Sequence, residues 1–417
     1  MPPSALPAGA PAQLLVDLSQ LVKHDARSGI QRVVRSMHQA LAAAPPAGYR
    51  VAAVYDAGGY YAYAQQYGAQ AAGASAADAA ADSADSAATA GPQPIQVRAG
   101  DVFLGLDLCP DQLPRNEALL ASLRRHGVRL YFMVYDLVPL SHPAMFHESM
   151  APWFQRWLDT VCRQADGLVC ISRAVADELA ERLERQPPRR AAPLPIGYCH
   201  LGADLEASLP TSGSGAGDEA VLAAMAARPA LLMVGTLEPR KMHAQALDAM
   251  ELLWRQGGAA GEACLVIVGK PGWEVAQLQA RLRGHAELGR RLFWLERASD
   301  ETLQRLYRGS AALLAASAAE GFGLPLIEAA QHGLPVIARE LPVFREVGGE
   351  HAWYFTAADG AALAQALQQW LALRAEGQAP PSAAMPHLSW RQSTAQMLEV
   401  VLDGRWHRRG VVALPPV

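Results

Sequence analysis

Lysine is nearly missing from this chain. Of its 36 basic residues only Lys23, Lys241 and Lys270 are lysines, and the rest are arginines. A basic surplus is missing as well: 36 Lys and Arg stand against 40 Asp and Glu, a formal net charge of -4. That balance argues against general nucleic-acid binding, because a polyanionic partner calls for a cationic excess. A small anionic ligand needs only a few local donors and stays open. No apolar run approaches the ~20 residues that span a bilayer. The first eleven residues, MPPSALPAGAP, lack the basic and apolar regions of a signal peptide. The expectation is a cytoplasmic protein, with peripheral contact at the inner face of the membrane as the alternative. The five cysteines (Cys109, Cys162, Cys170, Cys199 and Cys264) are odd in number and form no C-x-x-C pair, so buried reduced thiols are expected. There is no D-x-D and no H-E-x-x-H, which removes two metal-binding signatures.

What is present is an α/β pattern. The 417 residues, 51% hydrophobic and 18% charged, suit two domains of roughly 200 residues each. Short apolar runs alternate with amphipathic stretches, as in parallel sheets covered by helices. In the first half the expected strands are Leu14–Ser19, Tyr49–Asp56, Asp101–Leu108, Val128–Leu137 and Gly167–Ser172. Helices are expected over Ile30–Ala43, around Arg115–His126, and through Trp153, Phe154 and Trp157, while Gln186–Pro195 reads as a loop. Residues 65–94 are Ala/Ser/Asp/Gly low complexity and read as a disordered insertion. Residues 206–228 read as a linker, and the glycines at 213, 215 and 217 do not have dinucleotide-fingerprint spacing. The second half repeats the pattern with strands over Pro229–Leu237, Ala263–Lys270, Arg291–Glu296, Ala311–Ser317 and Leu334–Arg339. The division expected is thus a tail (1–11), a first domain (12–205), the linker, a second domain (229–388), and a helical tail segment (389–417).

Ligands of open parallel sheets bind beyond the carboxyl ends of the strands. Three such ends in the second half stand out: Gly235-Thr236 through Arg240-Lys241, Gly269-Lys270, and Glu320-Gly321-Phe322-Gly323-Leu324-Pro325 through Glu328. All three lysines fall after expected strands, where a compact ammonium suits a phosphate contact. Pro325 suits the first position of a helix. Gly321 to Leu324 would then form the turn into it, with free N–H groups and a positive dipole end facing an anion. Glu328 would accept bonds from vicinal hydroxyls such as those of a ribose, and Glu320 from those of a sugar ring.

Glu320 and Glu328, with seven residues between them, match the E-x7-E motif of retaining glycosyltransferases, and EGFGLPLIEAAQHGLPVIA resembles glycosyltransferase family 4. GTLEPRK and LVIVGKPGW are similar to bacterial members that build surface polysaccharides. The resemblance is strong from Pro229 to Phe355. It is weak in the first half, where DLS…SGIQRVVR, YDLVPLSHP, ADGLVCIS and HLGAD carry it. It implies a GT-B fold: two facing Rossmann-like domains, with a C-terminal helix crossing back to the first. It also implies a nucleotide-sugar donor on the second domain and transfer with retention, with no cofactor and no metal. By position, Lys241 would hold the diphosphate, helped by Arg240, since Thr236 stands where many relatives have arginine. Lys270 would lie near the nucleotide and Glu296 would face the base or lie on the surface.

The resemblance places a glycan or lipid-linked glycan acceptor on the first domain. Ser28, Gly29 and Arg32 are its candidate contacts, together with Tyr135 and Asp136, where Asp136 would orient or deprotonate the acceptor hydroxyl or serve a structural role. Phe146, Met150, Trp153 and Trp157 recur at helical spacing and read as core, with membrane or acceptor contact as the alternative. His142 and His147 read as structural or surface residues. GDP-mannose or a GDP-linked deoxymannose is the preferred donor, and a UDP- or dTDP-sugar the alternative. A sugar-nucleotide epimerase, a phosphorylase and a non-catalytic sugar-nucleotide-binding protein are the competing readings.

Overall fold

A computed structural model describes residues 11–25, 28–68, 91–203 and 216–411. The chain divides into two units. One is built from residues up to Leu140, from Ala151–Gly202 and from Leu388 onward; the other takes Ser141–Met150 and Ala203–His387.

In the first unit the strands are β1 (Ala12–Asp17), β2 (Tyr49–Asp56), β3 (Tyr61–Tyr63), β4 (Val102–Gly105), β5 (Arg129–Val134), β6 (Gly167–Cys170) and β7 (Leu194–Tyr198). They lie in the order β7-β6-β5-β4-β1-β2-β3, parallel except for the antiparallel hairpin of β2 and β3. Leu14 to Val16 and Val102 to Leu104 are all fully buried, because helices cover both faces of the sheet. The order reverses between β4 and β1, and there Asp17, at the end of β1, and Asp107, beyond β4, sit buried.

The second unit carries β8 (Ala230–Val234), β9 (Cys264–Val268), β10 (Leu292–Leu295), β11 (Ala312–Ala315), β12 (Val336–Arg339) and β13 (Trp353–Phe355). The sheet order is β10-β9-β8-β11-β12-β13, all parallel, which is the doubly wound Rossmann order with its switch point between β8 and β11.

The helix Trp390–Val401 returns to the first unit, as the GT-B expectation requires. It starts on a Ser389–Gln392 capping box. Ser393 donates to the His200 carbonyl (2.6 Å), and Leu388 bridges to Gly202. A Cβ on Gly202 would lie 2.5 Å from the Trp390 nitrogen, so glycine there lets the returning chain approach. Strand β14 (Arg408–Val411) then adds antiparallel to β7.

Several boundaries differ from the sequence expectation. Ala216–Ala227 is helical rather than linker, since its alanines favour helix and Val221 and Met225 find a core to enter. Ser141–Met150, expected in the first domain, belongs to the second unit, where Phe146 stacks on Trp273 at 5.3 Å. The Trp273 indole donates to the Met145 carbonyl. Phe146 is therefore off the helical stripe; the helix begins at Met150, and Phe154 and Trp157 are its buried aromatics. Most of the 65–94 insertion lies outside the described residues. Its ends are ordered, with a helical turn over Gln65–Gly68 and a bridge from Pro94 to Ala62. All five cysteines are free and buried.

Candidate active site

The two most distinctive sequence segments meet at the switch point of the second unit. After β8 the chain turns at Gly235 (φ 141°), runs through Thr236 to Glu238, and makes a 3-10 turn over Pro239–Lys241. After β11 it passes Ser317 and reaches Glu320 and the glycine turn. The Ala318 N–H donates to the Arg240 carbonyl (2.8 Å), joining the two loops through their backbones. The neighbouring loop is held just as closely. A Cβ on Gly269 would fall 1.9 Å from the Gly235 oxygen, and one on Gly272 would fall 2.6 Å from the Leu237 oxygen.

Four charges form a knot there. The Glu320 carboxylate accepts from Arg240 Nη1 (2.7 Å) and Ser317 Oγ (2.8 Å), and it pairs with the Lys241 ammonium. The other end of the Arg240 guanidinium pairs with Glu238 at 2.7 Å. These side chains are 4–17% exposed, so solvent screens them little. Burial alone would raise the Glu320 carboxyl. The charges of Arg240 and Lys241, with the bonds from Lys241 and Ser317, outweigh it and bring the pKa down from 4.5 to about 2. His243 lines the same pocket as Lys241 and Glu320. Burial, with the Lys241 charge beside it, pushes its imidazole down to about 3, so it is neutral at ordinary pH. Its Nδ1 has no hydrogen-bond partner.

The glycine turn leads into the helix Leu324–Gln331, whose N-cap is Gly323 at φ 100°. Leu324 is the first helical residue, so Pro325 stands one position later than the sequence suggested. A Cβ on Gly323 would meet the Phe344 ring at 2.8 Å, and the left-handed φ independently favours glycine. Phe322 is buried against the core, and Gly321 stands between it and Glu320. Glu328 lies on the buried face of the helix at 2% exposure, and Tyr307 donates to its Oε2 at 2.6 Å. Its carboxylate is thus anchored in the interior.

Other expected donor residues lie at the protein surface. Lys270 is exposed on the loop after β9. Glu296 is a surface carboxylate, 43% exposed, paired with Arg283 at 2.8 Å.

On the first unit the acceptor candidates are held by local contacts. Ser28 is the N-cap of the helix Gly29–Ala43 and forms a capping box with Gln31, which accounts for both Ser28 and Gly29 locally. Arg32 is in the first turn of that helix. Tyr135 is buried in the core with its hydroxyl on the Leu106 carbonyl (2.7 Å). Asp136 accepts from the Val138 N–H (3.1 Å), a bond within its own loop. Lys23 ends a single helical turn, Ser19–Lys23, rather than a loop, and pairs with Asp56 (2.9 Å). Asp17 is a residue the sequence reading missed. Burial, opposed by bonds from Ser19 and reinforced by Asp107 and Asp56, pushes its carboxyl from 3.8 to about 7. Burial takes Asp107 to about 6. On the second unit Glu238, Ser317, His243 and Tyr307 were missed. Glu238, His243 and Ser317, each within three residues of Arg240, Lys241 or Glu320, carried a local signal, and Tyr307 did not. Among the described residues no group of three His, Cys, Asp or Glu side chains could hold a metal, and the His142 and His147 rings bond to Ser141 and Ser149.

Residues 219–383, the stretch holding the whole knot, match the family of glycosyl transferases group 1. Over 390 residues the chain is 42% identical to the serotype-specific mannosyltransferase WbdA of Escherichia coli, covering 93% of this chain and 44% of that protein. The chain therefore spans less than half the length of this relative. Among solved structures, HepE of Anabaena in complex with UDP and glucose superposes with a TM-score of 0.60. That match covers 94% of this chain and 99% of HepE at 14% identity. Sucrose-phosphate synthase from Thermosynechococcus elongatus gives 0.59, covering 93% and 98% at 17% identity. At these identities the likeness is one of fold, and that fold is GT-B.

Proposed function

We propose that this chain, whose residues 219–383 belong to the group 1 glycosyl transferases, is a retaining glycosyltransferase. In this reading it moves mannose or a deoxymannose from a GDP-sugar to a glycan or lipid-linked glycan during bacterial polysaccharide synthesis. The observation that carries it is the knot of Arg240, Lys241 and Glu320 beside the glycine turn, at the place in the sheet where a doubly wound domain takes its nucleotide. The 42% identity to a mannosyltransferase supports mannose as the sugar. A UDP- or dTDP-sugar is the alternative donor.

In this mechanism Lys241 and Arg240 face the diphosphate, and the N–H groups opening the helix Leu324–Gln331 add the positive end of its dipole. The bond from the anomeric carbon to the phosphate oxygen breaks, and its electron pair stays on the phosphate. The acceptor oxygen bonds to the anomeric carbon on the same face, and its proton passes to the departing phosphate. Fixed cations and N–H dipoles act where negative charge develops, so the reaction needs no divalent metal. Glu320 receives the sugar hydroxyls. The anchored Glu328 serves the ribose once Tyr307 shares its carboxylate. Peripheral attachment to the membrane belongs to the same proposal; among the described residues no helix is long and apolar enough to cross a bilayer.

The test is transfer itself. Incubation with GDP-mannose and a mannosylated lipid-linked acceptor should lengthen the acceptor, with an α-linkage from the α-linked donor by NMR. An inverted anomer, or release of free sugar or an isomerised nucleotide sugar in place of transfer, would rule the assignment out.

A further inference from the structure

The charges of the knot cancel: Glu238 and Glu320 against Arg240 and Lys241. A diphosphate approaching these groups therefore meets a neutral cluster, and any share of the Lys241 ammonium it takes weakens that cation's hold on Glu320. Glu238, 4% exposed and paired with the far end of Arg240, is the deeper of the two. Glu320 stands at the head of the glycine turn, and its resolved bonds come from Arg240, Lys241 and Ser317. Two of those three donors are the cations a phosphate would need, so Glu320 and a phosphate are rivals.

Resting on the donor-site reading above, we infer that Glu320 makes the site prefer the intact nucleotide sugar to the spent nucleoside diphosphate. When the phosphate takes Lys241, the displaced carboxylate is a buried charge that loses a partner, which is costly. The sugar of an intact donor supplies hydroxyls that re-satisfy it, and a bare nucleoside diphosphate supplies none. After transfer the carboxylate recovers its cations and drives the nucleotide out. Arg240 and Lys241 hold the Glu320 carboxyl down near 2, so it is ionised at any working pH and its amide replacement removes a whole charge.

Equilibrium binding of GDP, UDP and dTDP, and of GDP-mannose, UDP-glucose and dTDP-rhamnose, should be measured on the wild type, Glu320→Gln and Ser317→Ala. The wild type should bind one sugar-loaded donor more tightly than its diphosphate. Glu320→Gln should bind that diphosphate about tenfold more tightly than wild type and lose the preference for the loaded form. Ser317→Ala keeps the carboxylate but removes one of its donors, so it should shift the diphosphate the same way by a smaller factor. An unchanged or weaker diphosphate affinity in Glu320→Gln would overturn the inference. Should Glu320→Gln fail to fold by near-UV circular dichroism, Ser317→Ala decides by the same criterion. Absence of binding by all six compounds to the wild type would instead overturn the donor-site reading itself.

Discussion

At the residue scale, the second unit tolerates little at its loop junctions. Gly269 carries no side chain because the Gly235 oxygen occupies the space a Cβ would need. Gly269→Ala must push apart the two loops bearing Lys241 and Lys270, and should lower stability by more than about 2 kcal/mol in urea unfolding. A loss below ~0.5 kcal/mol would show that the loops yield freely. Asp17 poses a different problem, since its folded carboxyl holds its proton up to about 7. Between the unfolded value of 3.8 and the folded one, the native state binds a proton that the unfolded chain has released. Stability therefore falls as pH rises through that window, and Asp107, raised to about 6, adds to the fall. Asp17→Asn keeps an oxygen for the Ser19 bonds and removes the charge. Its melting temperature relative to wild type should rise from pH 5 to pH 8; a difference flat with pH would refute the account. Glu320 acts in the opposite direction: its depressed carboxyl stabilises above about 4.5, and that contribution is lost as pH falls toward 2.

At the element scale, the strands legible in the sequence are those buried on both faces. Leu14 to Val16 and Cys264 to Val268 read as unbroken apolar runs because helices cover them on both sides. The strands missed are short or interrupted. β3 has three residues, β7 contains Pro195 and Gly197, and β14 is the basic stretch RRGV on an edge. The site was legible where its chemistry is local in sequence, as in Arg240-Lys241 and the turn from Glu320 to Leu324. It was illegible where partners meet across the fold. Tyr307 on Glu328 pairs residues from either side of β11, and Arg240 on Glu320 is a pairing that the β8 and β11 loops bring about. Ser28 shows a polar residue at a loop end with local work, as a helix cap. Ser28→Ala should cost about 1 kcal/mol of stability and leave the acceptor KM unchanged. A raised acceptor KM without loss of stability would restore it to the acceptor site.

At the scale of the whole molecule, a chain with a net charge of -4 is proposed to bind an anion. It can do so because the relevant cations are few and placed: two of its three lysines stand on neighbouring loops of one sheet end, and one of them faces Glu320. The most direct measurement is a thermal-shift panel of GDP, UDP and dTDP against the wild type and Lys241→Ala, each with magnesium and with EDTA. One diphosphate, GDP by preference, should raise the wild-type melting temperature, with little difference between magnesium and EDTA. Lys241→Ala should lose most of that rise. Equal stabilisation of wild type and Lys241→Ala, or a shift that disappears in EDTA, would contradict a diphosphate gripped by the Arg240–Lys241 pair.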